Sequence, residues 1–198
     1  MIFNYFAQNW IEITAVIFAI LYLVLAVKQN IFCWFFGIIS SILYFFIMRS
    51  AGLYMEAYLQ IFYVLMGFYG WAQWRKGLSN SKLFIVNTWS KSQHFLTVFI
   101  ILILSIISGS LLGSFTNAVL PFWDALVTWG AVVATYMVAK KLLENWIYWF
   151  VIDSISILLF ISRDLWPTAL LFGVYIVLII FGYRLWYKTL QENHAISN

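Results

Sequence analysis

Residues 146–162 read Trp-Ile-Tyr-Trp-Phe-Val-Ile-Asp-Ser-Ile-Ser-Ile-Leu-Leu-Phe-Ile-Ser, with a single charge at Asp153. Wound into a helix of 3.6 residues per turn, the run is apolar on every side, so no face of it is suited to water. It does not alternate apolar with polar residues, which argues against a strand of a membrane barrel. Its length approaches the roughly 20 residues a helix needs to cross a bilayer. Six further runs have the same character: Trp10 to Val27, Ile31 to Met48, Leu53 to Trp74, Gln93 to Leu112, Phe122 to Ala139, and Trp166 to Tyr187. Pro121 and Pro167 fall at predicted helix starts, where a missing N–H does little harm. The expectation is an all-α integral membrane protein of seven transmembrane helices.

Composition agrees. The chain has 198 residues, of which 65% are hydrophobic and 9% charged, against about a quarter charged in soluble domains. Water would leave so much apolar surface exposed, and lipid removes that conflict. The aromatic share of 21% exceeds what two interfacial girdles require, so part of it is expected to line an interior surface. Residues Met1 to Asn9 hold no basic residue and no small-residue cleavage site follows the first run, so that run is read as the first membrane helix. The single cysteine, Cys33, excludes an internal disulfide, and two histidines, His94 and His194, stand apart in sequence. No metal site and no cofactor are expected. No phosphate-binding glycine loop, nucleophile elbow or metalloprotease motif occurs, so no catalytic residues are assigned.

The connections give an orientation. One side holds Arg49 and Arg163; the other holds Lys28, Arg75, Lys76, Lys82, Lys91, Lys140, Lys141, Arg184 and Lys188. Basic residues concentrate on the cytoplasmic side, which places the N-terminus outside and the C-terminus inside. The net charge of +4 follows from this bias and calls for no nucleic acid.

An internal repeat organises the helices. A gapless shift of 115 sets Asn30 on Asn145, Trp34 on Trp149, Gly67 on Gly182 and Trp71 on Trp186. Three helices, a linker helix and three more put both copies in the same orientation, the parallel-repeat arrangement of SWEET-type transporters. The expected divisions are 10–74 for the first bundle, 75–112 for a cytoplasmic loop and linker helix, and 113–188 for the second bundle. By analogy of fold, the solute site is expected between the repeats.

Ionisable groups within membrane helices are functional suspects. Three acids qualify: Glu56, Asp124 and Asp153. Glu56, Gln60 and Tyr63 share a face of the third helix, Asp124 and Thr128 a face of the fifth, and Trp149, Asp153 and Ser156 a face of the sixth. Tyr175 lies on a face of the seventh. Structural roles compete: Asp124 suits a helix N-terminus, Glu56 an outer rim, Gln60 and Tyr63 interhelical hydrogen bonds, and Trp34 and Trp149 interface anchoring. Carboxylates beside Trp and Tyr suit a cationic aromatic ring, and the lack of interior Arg or Lys disfavours a phosphorylated one. No titrating pair or sodium cage is visible, so no ion coupling is expected.

Several stretches together resemble the nicotinamide riboside transporter (PnuC) family of bacterial vitamin transporters. They are Pro121-Phe122-Trp123-Asp124, and Lys140-Lys141-Leu142-Leu143-Glu144-Asn145-Trp146 running on to Trp149 and Asp153. Leu53-Tyr54-Met55-Glu56 continuing to Gln60, and the ends Gly70-Trp71-Ala72-Gln73-Trp74 and Gly182-Tyr183-Arg184-Leu185-Trp186, belong to the same set. The resemblance spans residues 10–188. It implies a SWEET-like 3+1+3 fold, a homotrimer, residence in the bacterial inner membrane, and facilitated diffusion of an unphosphorylated vitamin precursor that a cytoplasmic kinase then traps. Nicotinamide riboside is the expected solute, with thiamine the alternative and neutral riboflavin a poorer match to the acids. The expected substrate-binding set is Trp34, Glu56, Gln60, Tyr63, Trp123, Asp124, Thr128, Trp149, Asp153 and Tyr175. A membrane-embedded enzyme is the rival reading, with Asp124 and Asp153 as its only candidate pair.

Overall fold

The structure, a computed structural model, describes residues 10–50, 54–79, 85–115, 120–162 and 166–197. Among them seven helices follow in order: α1 Trp10–Val27, α2 Phe32–Ser50, α3 Tyr54–Ser79, α4 Lys91–Phe115, α5 Pro121–Ala139, α6 Asn145–Ile161 and α7 Trp166–Ser197. The all-helical class expected from the sequence is therefore observed. Helices close all their backbone hydrogen bonds within one segment, which a bilayer without water requires.

Four helices meet the length and apolarity of a membrane span on composition alone: α1, α4, α5, and residues Ala169–Asn193 of α7. Seven were expected. The apolar parts of α2 and α6, Phe32–Ile47 and Asn145–Ile161, are shorter. Helix α3 is rich in Tyr and Trp, carries Gln60 and Gln73, and ends with Arg75 and Lys76. Hydropathy credits amphipathic rings little, although such rings suit membrane interfaces. Helix α7 runs ten residues beyond the predicted Tyr187, because helical hydrogen bonding continues past the apolar stretch; Lys188 Nζ stands 3.8 Å from Glu192 Oε1 there.

The chain divides into two compact units, residues 1–84 and 85–198. In the first, α2 packs on both α1 and α3; in the second, α4 packs on α5, α5 on α6, and α6 on α7. The helix read as a linker thus packs inside the second unit. There a Cβ at Gly109 would come within 2.8 Å of Phe122 Cα, so α4 and α5 approach at backbone distance. Trp129 Nε1 donates to Ser108 Oγ at 3.0 Å across the same contact.

Each unit contains the same joint. In the first, Gln29 takes a left-handed backbone at φ 54° between α1 and α2. Asn30 N donates to Leu25 O at 2.9 Å, and Cys33 N to Asn30 O at 3.0 Å. In the second, Lys141 takes φ 52° between α5 and α6. Leu142 N donates to Met137 O at 3.0 Å, and Asn145 N to Leu142 O at 3.2 Å. Beyond the turn, the Trp34 ring is perpendicular to that of Trp74, at 87° and 5.6 Å. Trp146 meets Trp186 at 89° and 5.4 Å. A Cβ on Gly70 would collide with the Trp34 indole, and one on Gly182 would fall 2.6 Å from Trp146 Cη2.

Every one of these pairs, Gln29 with Lys141 or Gly70 with Gly182, is separated by 112 positions. The register of 115 read from the sequence is thereby corrected by three residues, a little under one helical turn. The cause is local: Trp146 and Trp149, Trp71 and Trp74, and Gly67 and Gly70 each stand three apart, so a wrong shift still matches Trp with Trp and Gly with Gly. The structural mates are Trp34 with Trp146 and Trp74 with Trp186.

Edge-to-face rings contribute roughly 0.5–1.5 kcal/mol beyond their burial, and close approach over a small residue is what holds helices together in lipid. Gly70→Ala and Gly182→Ala are therefore each expected to destabilise the protein by about 1–3 kcal/mol. Gly173→Ala, at a position where an added Cβ meets nothing within 4 Å, is expected to be neutral. Thermal unfolding in one detergent checks all three.

Candidate functional site

Helix α5 begins at Pro121, with Asp124 in its first turn. Asp124 N donates to Leu120 O at 3.1 Å, and Thr128 Oγ1 donates to Asp124 O at 2.9 Å. Thr128 is thus tied to its own helix, while the Asp124 side chain is half-buried at the positive end of the dipole. Trp123 is exposed.

Helix α6 carries a buried acid. Asp153 is only 4% exposed, and among the described residues no hydrogen bond or ion pair reaches its carboxylate. The adjacent Ile152 packs against Gly130 of α5, where an added Cβ would lie 3.0 Å from Ile152 Cγ1. That close approach seals α6 onto α5 beside the acid. Ser156, on the face of Asp153, donates to Ile152 O at 2.9 Å and keeps its lone pairs. Trp149, one turn before Asp153, is half-buried. On α7, Tyr175 stacks obliquely on Phe172 at 5.4 Å, and Phe172 on Phe160 of α6 at 5.0 Å.

In the first unit, Gln60 and Tyr63 are half-buried on α3, and the Tyr63 ring lies 5.9 Å from Phe62. Tyr63 stands 112 positions before Tyr175, so a tyrosine recurs at the same register in both units. Trp34 is 2% exposed and belongs to the packing of α1, α2 and α3, against Tyr22, Gly70 and Trp74. Glu56 falls on α3, but its side chain lies outside the described residues, as do those of Thr168 and His194.

The structure also gathers a cluster that the sequence left scattered. His94 on α4 places Nδ1 3.1 Å from the Tyr148 hydroxyl and Nε2 3.5 Å from Glu144 Oε1. Trp89 N donates to the same Glu144 oxygen at 3.1 Å. The segment ahead of α4 is held there by a parallel bridge of Asn87 with Leu142, in which Leu143 N donates to Asn87 O at 2.8 Å. More than fifty residues separate these partners, and no short motif announces them. Below the cluster lies a cavity of about 540 Å³ lined by α4, α5 and α6; none of the ten sequence-predicted site residues lines it.

Seven helices among the described residues, four of them apolar enough to span a bilayer, define a multi-pass membrane protein. A family model described as nicotinamide mononucleotide transporter matches residues 9–188. The chain belongs to that family, a family of membrane transporters and not of enzymes. It is 24% identical over 220 residues to the nicotinamide riboside transporter PnuC of Escherichia coli (strain K12), covering 96% of this chain and 91% of that protein. It is 24% identical over 206 residues to PnuC of Neisseria mucosa, covering 98% and 78%. It is 22% identical over 194 residues to the riboflavin/roseoflavin transporter RibM of Streptomyces davaonensis, covering 90% and 84%. The crystal structure of the vitamin B3 transporter PnuC superimposes with a TM-score of 0.77 at 23% identity, covering 96% of this chain and 86% of that one; the fold is shared.

Removing the Glu144 carboxylate leaves the Trp89 N–H and His94 without their acceptor. Glu144→Ala is expected to cost about 1–3 kcal/mol and to speed amide exchange at Trp89 and Leu143, while amides of α1 to α3 keep their protection. Site-resolved hydrogen exchange reads both parts.

Proposed function

We propose that this protein carries a small unphosphorylated vitamin precursor with a permanent positive charge, nicotinamide riboside, across the bacterial inner membrane by facilitated diffusion. The observation that carries the reading is the Asp153 carboxylate, buried in α6 with no partner among the described residues. A lone charge in a membrane helix is costly, and a cationic solute relieves that cost when it binds. Asp124, Trp149 and Tyr175 of the second unit supply a further carboxylate and aromatic rings, and Gln60 and Tyr63 are assigned to the set on the sequence pattern alone. Glu56, Trp123 and Thr128 complete the set. Trp34 shapes the packing behind it.

The family description names the mononucleotide, whereas the PnuC relatives are named for the riboside. The riboside agrees better with these residues. A phosphate calls for Arg or Lys, and the basic side chains of α7, Arg184 and Lys188, are exposed. The riboflavin named for RibM is neutral and leaves Asp153 uncompensated. Thiamine, a permanent cation, is the second choice on charge alone.

The chain is a repeat of one three-helix unit joined through α4, the 3+1+3 SWEET-like arrangement, supported by the geometry recurring at 112 positions. The N-terminus lies outside and the C-terminus in the cytoplasm, supported by nine basic residues against two. The family resemblance further implies a homotrimer, and a cytoplasmic kinase that makes net uptake one-way by trapping the product.

The test is uptake of labelled solutes into proteoliposomes holding the pure protein. Nicotinamide riboside should enter at least about tenfold faster than its mononucleotide or riboflavin, and Asp153→Asn should slow it about tenfold or more. Collapsing the proton gradient should change nothing. Equal uptake of riboflavin, or an unimpaired Asp153→Asn variant, would remove the assignment.

A further inference from the structure

The cavity beneath the His94 cluster has the form of a site for an amphiphile. Its walls are aliphatic: Val98, Ile101 and Leu102 of α4, Val127 of α5, Val151 and Ile155 of α6. Its 540 Å³ lies within the range of about 300–1,000 Å³ that small-molecule sites occupy. Val98, Leu102, Ile147 and Val151 are exposed, so the cavity opens sideways between α4 and α6. In a bilayer that opening faces acyl chains. The three polar side chains of the lining, His94, Glu144 and Tyr148, stand together at one end. That end is where α4 begins and α6 begins, the level of the headgroups.

One atom at this end lacks its share of hydrogen bonds. Glu144 Oε1 accepts from Trp89 N and faces His94, whereas Oε2 is buried and has no partner among the described residues. A buried carboxylate oxygen left unpaired is destabilising, so the cluster is short of one N–H or O–H donor. Lys91 stands one turn before His94 on α4, and Lys140 and Lys141 follow the end of α5, so cations flank the same end. An apolar lateral groove, a carboxylate wanting a donor and flanking cations match three parts of one molecule: acyl chain, ammonium and phosphate.

We infer that the groove between α4, α5 and α6 binds a bilayer phospholipid with a primary ammonium headgroup, whose N–H donates to Glu144 while an acyl chain fills the cavity. A second copy of the chain covers apolar faces too, but it gives no account of the unpaired oxygen. The inference is independent of the solute carried.

The test uses the full-length protein, delipidated in detergent and titrated with phosphatidylethanolamine and phosphatidylcholine of identical chains, with bound lipid counted by native mass spectrometry. The two differ at the nitrogen, where methylation removes every N–H. Phosphatidylethanolamine should bind about tenfold more tightly, the scale of one hydrogen bond to a charged group. Glu144→Gln, which keeps an acceptor for Trp89, should bring the two lipids within about twofold. Val98→Trp, which fills the groove and leaves the polar end intact, should weaken both. Equal binding of the two lipids by the unaltered protein, or a preference that survives Glu144→Gln, would overturn the proposal. So would a disulfide formed between two Val98→Cys copies in bilayers with loss of bound lipid, since a second chain would then occupy the groove.

Discussion

A tryptophan ring laid over a glycine is the contact on which each unit depends. Lipid tails are as apolar as the side chains they surround, so burying apolar area does not drive helices together in a membrane, and tight van der Waals fit takes over. Trp34 over Gly70 and Trp146 over Gly182 provide that fit, and each ring is braced at right angles by a second indole, Trp74 or Trp186. Trp34, Trp146 and Trp186 are among the most completely enclosed large side chains of the molecule. The indole N–H groups of Trp34 and Trp146 are both buried without acceptors among the described residues, so each unit gives up a hydrogen bond for the packing. The same sacrifice at the same register in two units marks it as part of the design of the joint.

The joint also sets what α6 can present. Trp146 and Asp153 lie two turns apart on α6 and so share a face. Once the indole is fixed against α7, and Ile152 against Gly130 of α5, the helix cannot rotate the carboxylate into lipid or toward an interface. A rigid scaffold holding one unsatisfied charge differs from a flexible one, in which the acid would find a hydroxyl or a water-filled rim. Ser156 illustrates the alternative: its hydroxyl turns back to the Ile152 carbonyl of its own helix and is satisfied.

Much of this architecture was legible in the amino-acid sequence, for a physical reason. Membrane helices announce themselves through unbroken apolarity, so the order of seven helices and most of their ends were read within two or three residues. The end of α7 was missed because hydropathy reports the solvent and not the helix, and the helix continues into Gln191 and Glu192. The sequence matches at a shift of 115, whereas the turns at Gln29 and Lys141 and the glycines under Trp34 and Trp146 recur at 112, because paired Trp and Gly at spacing three satisfy two alignments. Asp153 could be singled out because charge in an apolar run is conspicuous. Trp34 was read as a site or interface residue, since sequence does not reveal which face of an aromatic helix meets another helix. The cluster of Trp89, His94, Glu144 and Tyr148 was invisible, because its members come from two distant segments and each is unremarkable alone.

The central claim, that the carboxylate of Asp153 selects its solute by charge, is most directly tested without altering the protein. Nicotinamide riboside and its reduced dihydro form have nearly the same shape, but reduction removes the positive charge of the ring. Calorimetric titration of the purified protein with both should show the cationic form binding at least about tenfold more tightly, the worth of one charge-assisted contact. Equal affinity for the neutral form would contradict the account, and would mean that shape and stacking recognise the solute while Asp153 serves only the packing of α6.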